Sequence, residues 1–194
     1  MAGELAREVF WARVGVPGLE HLRLLRQSDW WEADGLVLGC DDGRGWRVRY
    51  HVAVDAGWQA RACTVTRLDD GHRLELHRDG AGWLGTDGKP LPELAGAEDV
   101  DITVTPFTNT LPIRRLAWTA GQARELTMAW ISVPELTVRA APQRYTCLRS
   151  IEPAGGRFRY EGIGTGFTVE LDVDPDGLVL DYGTIWRRLS AEPA

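Results

Sequence analysis

Two carboxylates one residue apart, Asp99 and Asp101, lie in the alternating stretch DVDITVT at 99–105, where Val100, Ile102 and Val104 take the opposite face. On a strand such a pair stands about 7 Å apart, within the separations that glycosidases use for acid–base hydrolysis. Nothing nearby in the sequence raises one pKa above the other, and paired acids on the wet face of a strand are common without catalysis. The following residues, 105–115, read TPFTNTLPIRR. Pro106 ends the strand, because its ring fixes the backbone and removes an amide. Phe107, Thr108, Asn109 and Thr110 follow, then Pro112, Arg114 and Arg115, and Asn109 is the only asparagine in the chain. Two prolines reduce the unfolded-state entropy of such a segment and favour one shape. A rigid segment bearing an aromatic ring, hydroxyls, an amide and two guanidiniums can recognise a sugar or an acidic headgroup. It can equally be a structural plug that closes the sheet, with Arg115 paired to a carboxylate.

Other chemistries find less support. His21, His51, His72 and His77 are scattered and form no H-x-x-x-H or H-E-x-x-H set, so no metal site is implied. No G-x-S-x-G elbow or phosphate-cradling glycine loop is present, and no cofactor is implied. Cys40, Cys63 and Cys147 form no C-x-x-C pair and read as reduced thiols. A Cys147 nucleophile would need a histidine from a distant segment. Asp172, Asp174, Asp176 and Gly177 open like a calcium loop, but Pro175 interrupts it and its closing ligand position falls on Gly183. That segment is read as a turn.

The elements that must position these residues are strands. In 44–55, Trp46, Val48, Tyr50, Val52 and Val54 share one face while Arg47, Arg49 and His51 take the other. The same period of two recurs in 73–78 and in 167–174. Asp-Gly turns at Asp42, Asp70, Asp79, Asp87 and Asp176 punctuate the chain at intervals suited to antiparallel hairpins. Consecutive strands are therefore expected to pair antiparallel, with a short helix or turn within 108–115 and a long surface loop at 85–96. The fold class is all-β, mainly antiparallel, in one domain spanning 1–194. The last residues, 190–194, read as a frayed tail.

Nine tryptophans stand out in a chain of 194 residues. Trp46 and Trp58 are expected on strands on either side of a turn at 55–57, and Trp118 and Trp130 likewise flank another near 120–121. Their indoles can line a concave apolar face with N–H groups free for a sugar hydroxyl, or simply fill a core. Arg144, Arg157 and Arg159 lie among Tyr145, Phe158 and Tyr160, a mixture that also occurs on nucleic-acid surfaces. The net charge of −6 argues against nucleic acid, and pairing with neighbouring acids or a phosphate-bearing headgroup fits better. No apolar run approaches the roughly 20 residues that span a bilayer. With no stretch of secretory type near the start, the expected location is cytoplasmic.

Several segments resemble a bacterial family, the Putative glycolipid-binding proteins. They are GLEHLRL at 18–24, ADGLV at 33–37, VRYHVAVDAGWQARACTV at 48–65, DVDITVTPFTNTLPIRRL at 99–116, PQRYTCL at 142–148 and LDVDPDGLVLDY at 171–182. The resemblance implies an open, curved sheet or incomplete barrel, spatula-like, similar to bacterial carriers that shield lipoprotein acyl chains. It implies no known enzymatic activity. The expected partner is then a glycolipid or another amphiphile in a Trp-lined groove, with Asn109, Arg114 and Arg115 facing its polar head. The alternatives are a protein-interaction module using exposed strand edges and a carbohydrate-active hydrolase using Asp99 and Asp101.

Overall fold

The computed structural model describes residues 3–189, so the expected tail at 190–194 lies outside the described residues. The strands are β1 (Glu4–Arg13), β2 (Gly18–Arg26), β3 (Trp30–Asp41), β4 (Arg44–Asp55), β5 (Ala60–Arg67), β6 (Arg73–Asp79) and β7 (Gly82–Leu84). They continue as β8 (Ala97–Ile102), β9 (Ala123–Ile131), β10 (Val138–Arg149), β11 (Gly156–Gly162), β12 (Thr168–Val173), β13 (Val179–Tyr182) and β14 (Trp186–Leu189). All fourteen belong to one sheet. Strands β1 to β7 form one antiparallel meander and β14 back to β9 form another, joined where β1 pairs with β14. The alternation at 44–55 becomes β4, with Trp46, Val48, Tyr50, Val52 and Val54 all buried. Its neighbour β3 carries Gly35 and Gly39 because the rings of Tyr50 and Trp46 lie across those two positions, where a Cβ would collide with them.

One pairing departs from the expectation: β8 runs parallel to β9. A parallel pair needs a crossover of a dozen or more residues, and 103–122 supply it. Within that crossover a 3-10 turn, Phe107–Asn109, leads into the short helix α1, Thr110–Arg115, where a helix or turn was expected. Every residue from Thr105 to Ile113 is buried. Connecting segments normally run over the surface, because a buried one must satisfy its backbone internally. This one lies inside the curled sheet and divides the core in two. The larger cluster lies on the β1–β8 side and includes Phe107 and Leu111; the smaller, around Tyr145, Phe158 and Leu171, takes Ile113.

The sheet is nearly closed into a barrel, and side chains complete the seam between β5–β7 and β8. Asp99 accepts the Ala60 N–H through Oδ1 at 2.9 Å. Trp83 Nε1 donates to the Ala97 carbonyl at 3.0 Å, and the Arg78 guanidinium donates to the carbonyls of Ala97 and Glu98. The second oxygen of Asp99 holds Arg115 at the end of the inner helix, at 2.8–2.9 Å. Asp99 is fully buried, not on a wet face as its alternation suggests, and the Arg115 side chain is 15% exposed.

Removing one partner of a buried pair strands the other charge, at a cost of roughly 3–5 kcal/mol. Asp99→Ala should therefore lower unfolding stability by about that amount in a denaturant titration. Asp99→Asn, which keeps an oxygen for the Ala60 amide, should cost less. Equal stability of Asp99→Ala and the parent would show that the seam does not depend on this carboxylate.

Candidate functional site

The inner crossover borders a space of about 350 Å³ between β8 and β14. Its floor is polar. Asp101, near the end of β8, accepts Thr108 Oγ1 at 3.1 Å on one oxygen and Gln143 Nε2 at 2.5 Å on the other. Asn109 sits beside them, with Oδ1 taking the Tyr145 hydroxyl at 2.9 Å and Nδ2 donating to the Pro106 carbonyl. The walls are aromatic: Trp130, Tyr160, Tyr182 and Trp186. At the mouth stand Phe167 and Ile163 from the β11–β12 connection, Ile185 from the β13–β14 connection, and Arg139. Residues 139, 141, 143 and 145 share the inner face of β10, so that strand carries the gradient from mouth to floor: Arg139, Ala141, Gln143, then buried Tyr145.

The electrostatics follow from burial. Asp101 has no cationic partner, and desolvation pushes its carboxyl above the ordinary 3.8, opposed only by the two hydrogen bonds. The Tyr145, Tyr160 and Tyr182 phenols are pushed up by burial and by Asp101, so they remain protonated donors. Arg139 is exposed, with its guanidinium 4.4 Å from the centre of the Trp130 ring. Gln143 is 1% exposed, and its Oε1 has no hydrogen-bond partner among the described residues.

Behind the floor a second buried carboxyl fixes the start of the crossover. Glu20 Oε1 accepts Tyr50 Oη at 2.5 Å and Thr105 Oγ1 at 2.6 Å, while Thr105 Oγ1 accepts the Phe107 N–H at 3.0 Å. Burial raises the Glu20 carboxyl from 4.5 to about 8, against the lowering effect of those two hydroxyls. At neutral pH it is a neutral acid.

Of the ten residues singled out from the sequence, Asn109 and Trp130 line this cavity. Thr108 positions Asp101, while Phe107 is fully buried beside the Tyr50 ring. Arg115 is held by Asp99 and Glu98 at the seam. Arg114 lies 4.2 Å from the centre of the Trp58 ring and donates to the Asp176 carbonyl, away from the cavity. The indole N–H groups of Trp46 and Trp118 are engaged by Asp41 and by the Pro112 carbonyl. Trp58 is not on a strand: it sits in the turn after β4 with a positive φ of 64°, held by Trp31 and Arg114. Arg144 is outside the barrel, paired with Glu125 and Glu161; Arg157 and Arg159 likewise meet Asp172 and Glu170. Asp99 and Asp101 serve different places, one the seam and the other the cavity. Among the described residues no group of three or more His, Cys, Asp or Glu side chains could hold a metal.

Comparison with known proteins matches this arrangement to a family. The family model described as Putative glycolipid-binding covers residues 8–188. The chain belongs to this family. The crystal structure of a DUF1089 family protein from Pseudomonas aeruginosa is similar to this member of the glycolipid-binding family at 35% identity and a TM-score of 0.78. The likeness spans 89% of this chain and 92% of that one. No curated protein matches the chain. The matched range includes every residue that lines the cavity, from Asp101 to Trp186.

The raised Glu20 carboxyl makes a pH prediction. The folded state keeps a proton that the unfolded chain releases above its ordinary value of 4.5. Its stabilising contribution is complete below that pH and is lost as pH rises toward about 8, at roughly 1.4 kcal/mol per pH unit. Glu20→Gln should remove that part of the slope in denaturant titrations across this range. An unchanged slope would show that Glu20 does not carry the proton.

Proposed function

We propose that this protein binds an amphiphile, with the polar end against Asp101, Gln143 and Asn109 and the alkyl end leaving through the mouth. The observation that carries this reading is the cavity's gradient, from hydrogen-bonding floor through aromatic wall to the apolar rim of Phe167, Ile163 and Ile185. Phe167 is 40% exposed there, which is the surface an alkyl chain would cover. The family description agrees with a glycolipid-like ligand. At about 350 Å³ the space is near the lower end of ligand cavities, roughly 300–1,000 Å³. It therefore admits a headgroup and the first part of a chain rather than a whole lipid. Binding without turnover is the favoured chemistry, because Asp101 has no second carboxylate beside it in the cavity.

A specific feature supports a protein-interaction reading as the alternative. On the outer face, Phe10 stacks on His21 at 4.4 Å between ring centres, and His21 pairs across to Leu36. With Leu19, Leu38 and Leu189, each 36–44% exposed, they form an apolar row across β14, β1, β2 and β3.

The two surfaces are separable. Octyl β-glucoside, titrated below its micelle concentration, should change the fluorescence of Trp130 and Trp186 with one-site saturation. Ala141→Trp, which fills the inner face between mouth and floor, should weaken that binding by more than about tenfold, since 1.4 kcal/mol is a factor of ten. Leu38→Asp on the outer face should leave it unchanged. The reverse ranking would move the site to the outer face and remove the cavity from the function.

A further inference from the structure

The floor of the cavity is short of hydrogen-bond donors in one specific way. Asp101 is a half-buried acceptor with no cation beside it among the described residues, in a space walled by four aromatic rings. Gln143 must turn its amide nitrogen toward the carboxylate, because the reverse would set oxygen against oxygen. That leaves Gln143 Oε1 buried at the cavity wall without a partner. A buried acceptor without a partner is costly, so the arrangement favours a ligand that supplies N–H or O–H groups. Asn109 Oδ1 is already taken by Tyr145.

The charges facing this point are few. Strand β8 offers Asp101, β10 offers Gln143 and, at the mouth, Arg139; β11 and β13 offer the neutral phenols of Tyr160 and Tyr182, and β9 and β14 the indoles of Trp130 and Trp186. Aromatic faces attract a cation within about 6 Å of the ring centre, and an uncompensated carboxylate does so directly. An anion placed there would meet the Asp101 carboxylate, with only neutral O–H and N–H donors to offset it. Trp130 is the cross-strand neighbour of both Asp101 and Arg139, so those two residues stand two strand spacings apart, about 10 Å. The positive charge at the mouth thus lies beyond the floor rather than on it.

We infer that the polar end bound at the floor carries a primary ammonium group, donating N–H bonds to Asp101 and Gln143 Oε1 inside the aromatic wall. This rests on the cavity being the binding site proposed above, and it adds the charge and donor character of the head. An amine-bearing sugar and a simple alkylamine share that chemistry. A quaternary ammonium does not, because it has no N–H for Gln143. An anionic group next to the amine in the same ligand would fall toward Arg139.

The test compares four eight-carbon amphiphiles on the intact protein at constant ionic strength: octylammonium, octyltrimethylammonium, octyl β-glucoside and octyl sulfate. Calorimetric titration should give octylammonium the tightest one-site binding, about tenfold or more over octyl β-glucoside, with octyl sulfate weakest. A glucosamine-headed octyl glycoside binding more tightly than octylammonium would identify the sugar source; equal binding would identify the amine alone. Asp101→Asn and Gln143→Met, each checked for an intact thermal transition, should each collapse the preference for octylammonium over the glucoside by about tenfold. The inference is overturned if octyl β-glucoside binds as tightly as octylammonium, if the trimethyl compound or the sulfate binds best, or if neither variant changes the ratio. In those cases the cavity reading survives if Ala141→Trp still weakens binding and Leu38→Asp does not. Binding of none of the four overturns both.

Discussion

Asp99 is the residue on which the rest of the structure depends. A fourteen-stranded sheet that curls without a final backbone ladder must close by other means, and here side chains close it, with one carboxylate shared between two jobs at the centre. One oxygen takes a backbone amide from β5; the other takes the guanidinium of Arg115, which ends the inner helix. The same group therefore joins the two ends of the sheet and fixes the crossover inside it. A carboxylate buried this deeply is costly to desolvate. The geometry offsets that cost with an ion pair and a backbone amide, while the Arg78 guanidinium engages adjacent carbonyls.

The crossover then determines where space remains. Its start is tied to Glu20 and Tyr50 through Thr105, its middle to Asp101 and Tyr145 through Thr108 and Asn109, and its end to Asp99 through Arg115. Together these side-chain hydrogen bonds reach β2, β4, β8 and β10, so the segment cannot shift toward one strand without losing contacts to another. The β1–β8 side of the barrel is filled with apolar side chains. The β10–β14 side keeps a space near the mouth, and Gln143 Oε1 faces it with no protein partner among the described residues. Buried polar groups of this kind give less stability than an apolar core would. Their presence is consistent with a space kept for a ligand.

Much of the fold was legible in the residues. The alternation at 44–55 maps onto β4 without a boundary error, and the Asp-Gly turns at Asp42, Asp70, Asp79 and Asp176 fall between antiparallel neighbours, while the one at Asp87 does not. The parallel β8–β9 pair was not legible, since period two does not encode strand direction; only the length of the crossover hints at it. The segment 105–115 was legible as rigid and unusual, and one of its two readings, a plug with Arg115 paired to a carboxylate, matches the Arg115–Asp99 pair; which carboxylate, and the Arg114 contact with Trp58, were not legible because both partners come from distant segments. Tryptophan content misdirected attention, since the indoles of Trp46, Trp58 and Trp118 are occupied by structural partners. The floor was missed for the converse reason: Gln143 looks ordinary in PQRYTCL. Its signal was positional, an uncharged polar residue on the same face as Tyr145 and Cys147, where an apolar side chain is the rule.

The central claim is that ligand enters the barrel head first and stops at the floor made by β8, β10 and the inner crossover. A crystal structure of the protein grown with octyl β-glucoside tests it most directly. The account predicts the sugar inside the barrel, with a hydroxyl within about 3 Å of Gln143 Oε1 and the alkyl chain passing Phe167. Ordered ligand on the outer face beside Phe10 and Leu38, with the cavity holding only water, would contradict it.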